Sequence, residues 1–103
     1  MKATNTISLA TAQAWALRWK SSPVTTVKAF QIPEADTVQL YNEPLVESIR
    51  AYLGVDEKGM AHLMLVGVDA NDKDMIDANK GWYIYDFTRP CPATCDISSP
   101  LYI

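Results

Sequence analysis

Two strand-like runs, Val46 to Val55 and Met60 to Val68, are joined by Asp56-Glu57-Lys58-Gly59, and this pair constrains the fold more than any other stretch of the chain. Its register can be worked out on paper. A three-residue loop of Glu57, Lys58 and Gly59, with Gly59 in the left-handed region, pairs Asp56 with Met60. Val55 then faces Ala61, Leu53 faces Leu63, Ala51 faces Leu65 and Ile49 faces Gly67, which gives one continuous apolar face. Antiparallel strands with one buried side need such a face, and a slip of one residue would set His62 opposite Leu53 and Leu65 opposite Arg50. The opposite face carries Ser48, Arg50, Tyr52 and Gly54 against Val68, Val66, Met64 and His62. That mixed surface is read as half exposed and suited to a partner or a second copy.

The remaining elements are organised around this hairpin. Ser8 reads as an N-cap for a helix from Leu9 to about Lys20, with Ala12, Trp15, Ala16 and Trp19 along one face and Ser21-Ser22-Pro23 as its stop. Val24 to Ile32 is β-branched and expected to be extended. Pro33-Glu34-Ala35-Asp36 opens a short second helix to about Asn42, read as burying Val38 and Tyr41, with Leu40 a further candidate. Asp69 to Lys80 is a polar connection. Gly81 to Phe87 is an aromatic strand that completes the sheet beside Met60–Val68, and Pro90, Pro92 and Pro100 make the tail over 88–103 irregular. The expected fold is therefore α+β in a single domain over 1–103. An N-terminal helix packs on a three- to four-stranded, mainly antiparallel sheet, with residues 1–6 flexible.

Composition excludes several functions. At 103 residues the chain can bury one modest core. With a net charge of −3 and no basic cluster, it lacks the cations that nucleic acids and anionic membrane surfaces require. Ala12-Gln13-Ala14 and Ala14-Trp15-Ala16 resemble a signal-peptide cleavage site. Only Ile7, Leu9 and Leu17 are strong aliphatics there, so the stretch is read as an internal helix of a cytoplasmic protein. The four glycines, at 54, 59, 67 and 81, cannot build a phosphate loop or dinucleotide fingerprint, and no cofactor is expected.

Candidate chemistry is sparse. Cys91 and Cys95 lie between prolines without the CxxC spacing of redox motifs. Three readings stay open: an inert or disulfide-linked tail, a metal site closed with His62 and Asp86 or Asp96 or by two tails meeting in a dimer, and a redox pair. Asp69 to Asp74 imitates a calcium loop. Lys73, Asp74 and Lys80 break that motif, and a solvated turn is the better reading. His62, the only histidine, has no nucleophile set beside it by local sequence. Arg50, Tyr52, His62, Met64, Tyr83 and Tyr85 form the expected ligand or partner surface, and the leading function is a non-enzymatic binding module that self-associates as a homodimer. A thiol-dependent or metal-binding protein is the alternative.

Ser48-Ile49-Arg50-Ala51-Tyr52-Leu53-Gly54, Leu65-Val66-Gly67-Val68-Asp69 and Tyr85-Asp86-Phe87-Thr88-Arg89-Pro90-Cys91-Pro92-Ala93-Thr94-Cys95 resemble the motifs of a family of small uncharacterised bacterial proteins. That family has a front helix, an R-x-Y-x-G…VGVD hairpin and a PCP-x-x-C tail. The resemblance implies these boundaries and carries no activity, cofactor or partner.

Overall fold

A computed structural model describes residues 3–102. The elements run in the order β1 (Thr6–Ile7), α1 (Leu9–Ser21), β2 (Ala29–Gln31), α2 (Glu34–Tyr41), β3 (Ser48–Val55), β4 (Ala61–Val68), β5 (Asp74–Met75), a 3-10 turn (Ala78–Lys80), β6 (Ile84–Tyr85) and β7 (Arg89–Cys91). This is an α+β fold. A five-stranded antiparallel sheet has the order β1-β6-β4-β3, with β5 also on β4, and a two-stranded sheet joins β2 to β7.

The hairpin has the register the pattern dictates: Val55 pairs with Ala61, Leu53 with Leu63, Ala51 with Leu65 and Ile49 with Gly67. The Asp56 N–H donates to the Met60 carbonyl at 2.9 Å, and Gly59 takes φ +82°, a conformation that costs glycine little. Because Asp56 points its amide at β4, so do the even-numbered residues of β3, and the odd-numbered amides face outward. The Val55 carbonyl fits this alternation, since it accepts from Arg18 Nη1 at 2.8 Å instead of from β4.

Ser8 caps α1 by accepting from the Thr11 N–H at 3.1 Å. The helix lays Ala12 and Trp15 on Met64, Val66 and Ile84. Gly54 lets it approach: a Cβ there would lie 2.9 Å from the Trp15 Cβ. The mixed face of the hairpin is thus the one that α1 covers. On the other face, Leu40 of α2 packs with Leu65 and Tyr85, flanked by Ile49, Leu63 and Tyr83. The sheet is the middle of three layers.

Several expectations change in detail. In α2 the buried positions are Asp36 and Leu40, while Val38 and Tyr41 are exposed. Asp36 is drawn inside by donors distant in sequence, as its Oδ1 accepts from Asn5 Nδ2 and its Oδ2 from the Phe87 N–H. Of the residues expected to form a loose leader, Thr4 donates its N–H to Gln39 Oε1, and the Asn5 carbonyl accepts from the Asp86 N–H. Met1 and Lys2 lie outside the described residues. The tail is not wholly irregular, because Arg89–Cys91 pairs with Ala29–Gln31. Only Ile84 and Tyr85 of the aromatic stretch are strand.

The side of β4 away from β3 is closed in pieces. Thr88, which is buried, accepts from the Leu63 N–H and donates to its carbonyl, β6 meets Leu65, and β5 takes Gly67 and Val68. The same strand has β3 as its other neighbour. Among the described residues no strand pairs with the outer edge of β3.

Candidate functional site

The six residues expected to share a surface are divided between the two faces of the sheet. Arg50, Tyr52, His62 and Met64 lie on the α1 side. Tyr83 and Tyr85 lie on the α2 side, where they meet edge to face with ring centroids 6.5 Å apart. Met64 and Tyr85 are core residues, at 2% and 1% exposure. Arg50 and Tyr52 come together over the loop after β4. Arg50 pairs with Asp74 and, at 3.1 Å, with Asp72, and the Tyr52 hydroxyl donates to Asp74. The bond to Asp74, followed by partial burial, raises the Tyr52 pKa. Asp69, first residue of the calcium-like loop, spends its Oδ1 on the Asn71 and Lys73 N–H groups, which makes the stretch a turn.

Beside this network lies an apolar groove of about 170 Å3. Leu9, Ala12, Ala16, Val66 and Ile84 line it, with Gln13, Tyr52 and Asp74 as polar members. Tyr52 is 40% exposed. Across the edge of the sheet, Leu53 is 41% exposed and Ala51 is also open to solvent.

His62 is anchored at both ring nitrogens. Nε2 lies 2.8 Å from Asp56 Oδ2 and Nδ1 lies 3.3 Å from the Asp86 carbonyl. Its ring stacks on Trp15, centroids 4.5 Å apart, and Trp15 Nε1 donates to Glu57 Oε1. Burial pushes the Asp56 carboxyl up, but the hydrogen bonds from His62, Met60 and Lys58 outweigh it and hold the group below its ordinary value. Asp56 was legible in the sequence: the register sets it diagonally beside His62, two positions beyond Gly54, the residue opposite His62. Among the described residues, no hydroxyl or thiol is hydrogen-bonded to this ring. The arrangement fixes the hairpin turn to α1.

Glu43 is the other buried acid that sequence reasoning missed. Its Oε2 accepts from the Tyr85 hydroxyl at 2.6 Å and from the Tyr83 N–H at 3.1 Å, while Oε1 has no partner among the described residues. No local signal marks it, because both donors lie about 40 positions away.

Cys91 and Cys95 form a disulfide, with Cα atoms 4.9 Å apart. Both border a cleft of about 370 Å3 between β2 and the tail. His62 is engaged elsewhere. Among the described residues no three of the His, Cys, Asp and Glu side chains converge as a metal site would require.

The buried acids set a pH dependence. Burial raises the pKa of Asp36 and Asp86 above 3.8 and that of Glu43 above 4.5, against the hydrogen bonds to Asp36 and Glu43 and the pull of His62 on Asp86. An acid whose folded-state pKa is raised contributes stability that is complete below its unfolded value and lost as pH rises through the folded one. Asp56 has the opposite sign and loses its contribution only as pH falls below 3.8. The thermal midpoint is therefore expected to be highest in mild acid and to fall as pH is raised above the ordinary carboxylate range. A flat or rising profile by differential scanning calorimetry would contradict the burial of these carboxyls.

Among the described residues no helix is long and apolar enough to cross a membrane. Compared with models of known protein families, with curated proteins and with solved structures, the chain matches none.

Proposed function

We propose that this protein is a non-enzymatic interaction module that self-associates through the outer edge of β3. The uncovered edge is the observation that carries the reading. Natural sheets guard their edges with short strands, lysine, proline or bulges. Over Ser48–Val55 the pairing is unbroken for eight residues and contains no proline or lysine. The only cation on it, Arg50, is drawn aside by Asp72 and Asp74.

The outward amides and carbonyls belong to Ile49, Ala51 and Leu53, by the alternation that the Asp56 bond fixes. An antiparallel pairing of two copies centred on Ala51 sets Leu53 of one against Ile49 of the other, and Tyr52 against Arg50. That arrangement is self-complementary, as a two-fold interface must be. The exposed Ala51 and Leu53 would extend the apolar face across the junction.

Ala51→Pro tests this directly. It removes an outward N–H while sparing the ladder to β4, the one circumstance in which an edge strand tolerates proline. The variant is expected to keep its far-ultraviolet circular dichroism and to raise the dimer dissociation constant at least about tenfold, roughly 1.4 kcal/mol. Light scattering over a concentration series reads the result. A wild-type chain that keeps the mass of one copy throughout, or a variant that dimerises equally well, would overturn the proposal. Polar substitution of Met64 would not serve, since that side chain is buried beneath α1.

A further inference from the structure

We infer that Cys95 is a site of reversible thiol–disulfide exchange with a low-molecular-weight thiol, and that Cys91 is the thiol that closes the bond again. This is independent of self-association through β3. The two sulfurs are placed differently. Cys91 sits in β7, paired with Ala29, its carbonyl accepting from the Lys28 N–H at 2.7 Å, and it is 6% exposed. Cys95 is half-buried in the tail and borders the cleft. An incoming thiolate therefore has access to Cys95.

The bond spans a sequence separation of only 4. Cross-links that close such short loops constrain the unfolded chain least, so this one contributes little as a staple. Shortness has the opposite effect on exchange, because it keeps Cys91 beside any mixed disulfide formed at Cys95. The cleft, at about 370 Å3, falls within the range of small-ligand sites. Its wall includes Phe30 and Tyr102 with charges of opposite sign, Lys28 and Asp96. Lys28 Nζ lies 5.7 Å from the centre of the Tyr102 ring, and the bonds from Ser98 hold the Asp96 carboxyl below its ordinary value.

The exchange proceeds in two displacements. A thiolate RS⁻ attacks Cys95 Sγ, the new sulfur–sulfur bond forms, the Cys95–Cys91 bond breaks, and its electron pair leaves on Cys91, which takes a proton from water. A second RS⁻ attacks the ligand sulfur of the mixed disulfide and releases Cys95 as thiolate with RSSR. Two RSH are oxidised and one protein disulfide is reduced to two thiols. The reverse sequence restores the bond.

Folded protein incubated with reduced and oxidised glutathione, acid-quenched and weighed by mass spectrometry tests this. The wild type is expected to gain and lose two hydrogens with the glutathione ratio while its circular dichroism stays constant. Cys91→Ser is expected to accumulate one glutathione adduct at least about tenfold faster than Cys95→Ser. A wild-type disulfide that resists glutathione until denaturant is added would overturn the proposal, and that measurement needs no variant. Equal adduct rates in the two variants would do so too, as would reduction by a dithiol protein such as thioredoxin but not by glutathione.

Discussion

Trp15→Ala is expected to cost about 3–5 kcal/mol, a large share of the roughly 5–15 kcal/mol by which such a domain is stable. The indole lies between α1 and the hairpin, against Met64, Val66 and Ile84 and stacked on His62, with its N–H on Glu57. Removing it deletes a large apolar surface and opens a space that backbone cannot refill, since α1 and β3 are already in contact at Gly54. It also releases the ring that keeps His62 in place above Asp56. Equilibrium urea unfolding followed by circular dichroism measures the loss, and Trp19 and Trp82 remain as fluorescent reporters. A change below about 1 kcal/mol would mean that α1 does not rest on this face.

The second large effect comes from a polar residue. Asp36→Ala is expected to destabilise by about 2–4 kcal/mol, because it strands the Asn5 amide and the Phe87 N–H in a partly buried site. Burial keeps the Asp36 pKa above its ordinary value, so Asp36→Asn, which retains one acceptor oxygen, should cost less. The distinguishing readout is local. Hydrogen exchange at the Asp86 N–H, which donates to the Asn5 carbonyl at 3.1 Å, should accelerate in Asp36→Ala more than exchange within the β3–β4 ladder. Uniform acceleration would point to a general loss of stability instead of a broken latch.

These two residues also mark what the sequence reveals and what it hides. Trp15 is legible because helical spacing sets it on a stripe with Ala12, and the hairpin is legible because alternation, a left-handed glycine and a turn aspartate all specify one register. Such signals are local. Asp36 was invisible for the converse reason: its donors come from 31 and 51 positions away. Val38 and Tyr41 looked like the buried face of α2 from hydrophobicity alone, yet the helix turns toward Leu40 because the latch fixes its rotation. The candidate surface divided along the same line. Tyr83 and Tyr85 share the alternation of β6, but nothing in their own segment says which face of the sheet that strand presents to α2. Nothing local to Arg50 and Tyr52 names their partners, which come from the return of the chain at Asp72 and Asp74.

The sheet ends unequally, and this bears on how far an assembly could grow. Its margins are β1 and β5, two residues each, and β3, with eight. If two copies join at β3 as proposed, each has used the one long margin of its sheet, and among the described residues only the two-residue strands β1 and β5 remain at its edges. Thr88, by filling in for a strand at Leu63, denies a newcomer the N–H and carbonyl of β4 at that position. Finite pairs are then the natural end point, and the fibre that an unguarded β margin threatens lacks a second end from which to propagate.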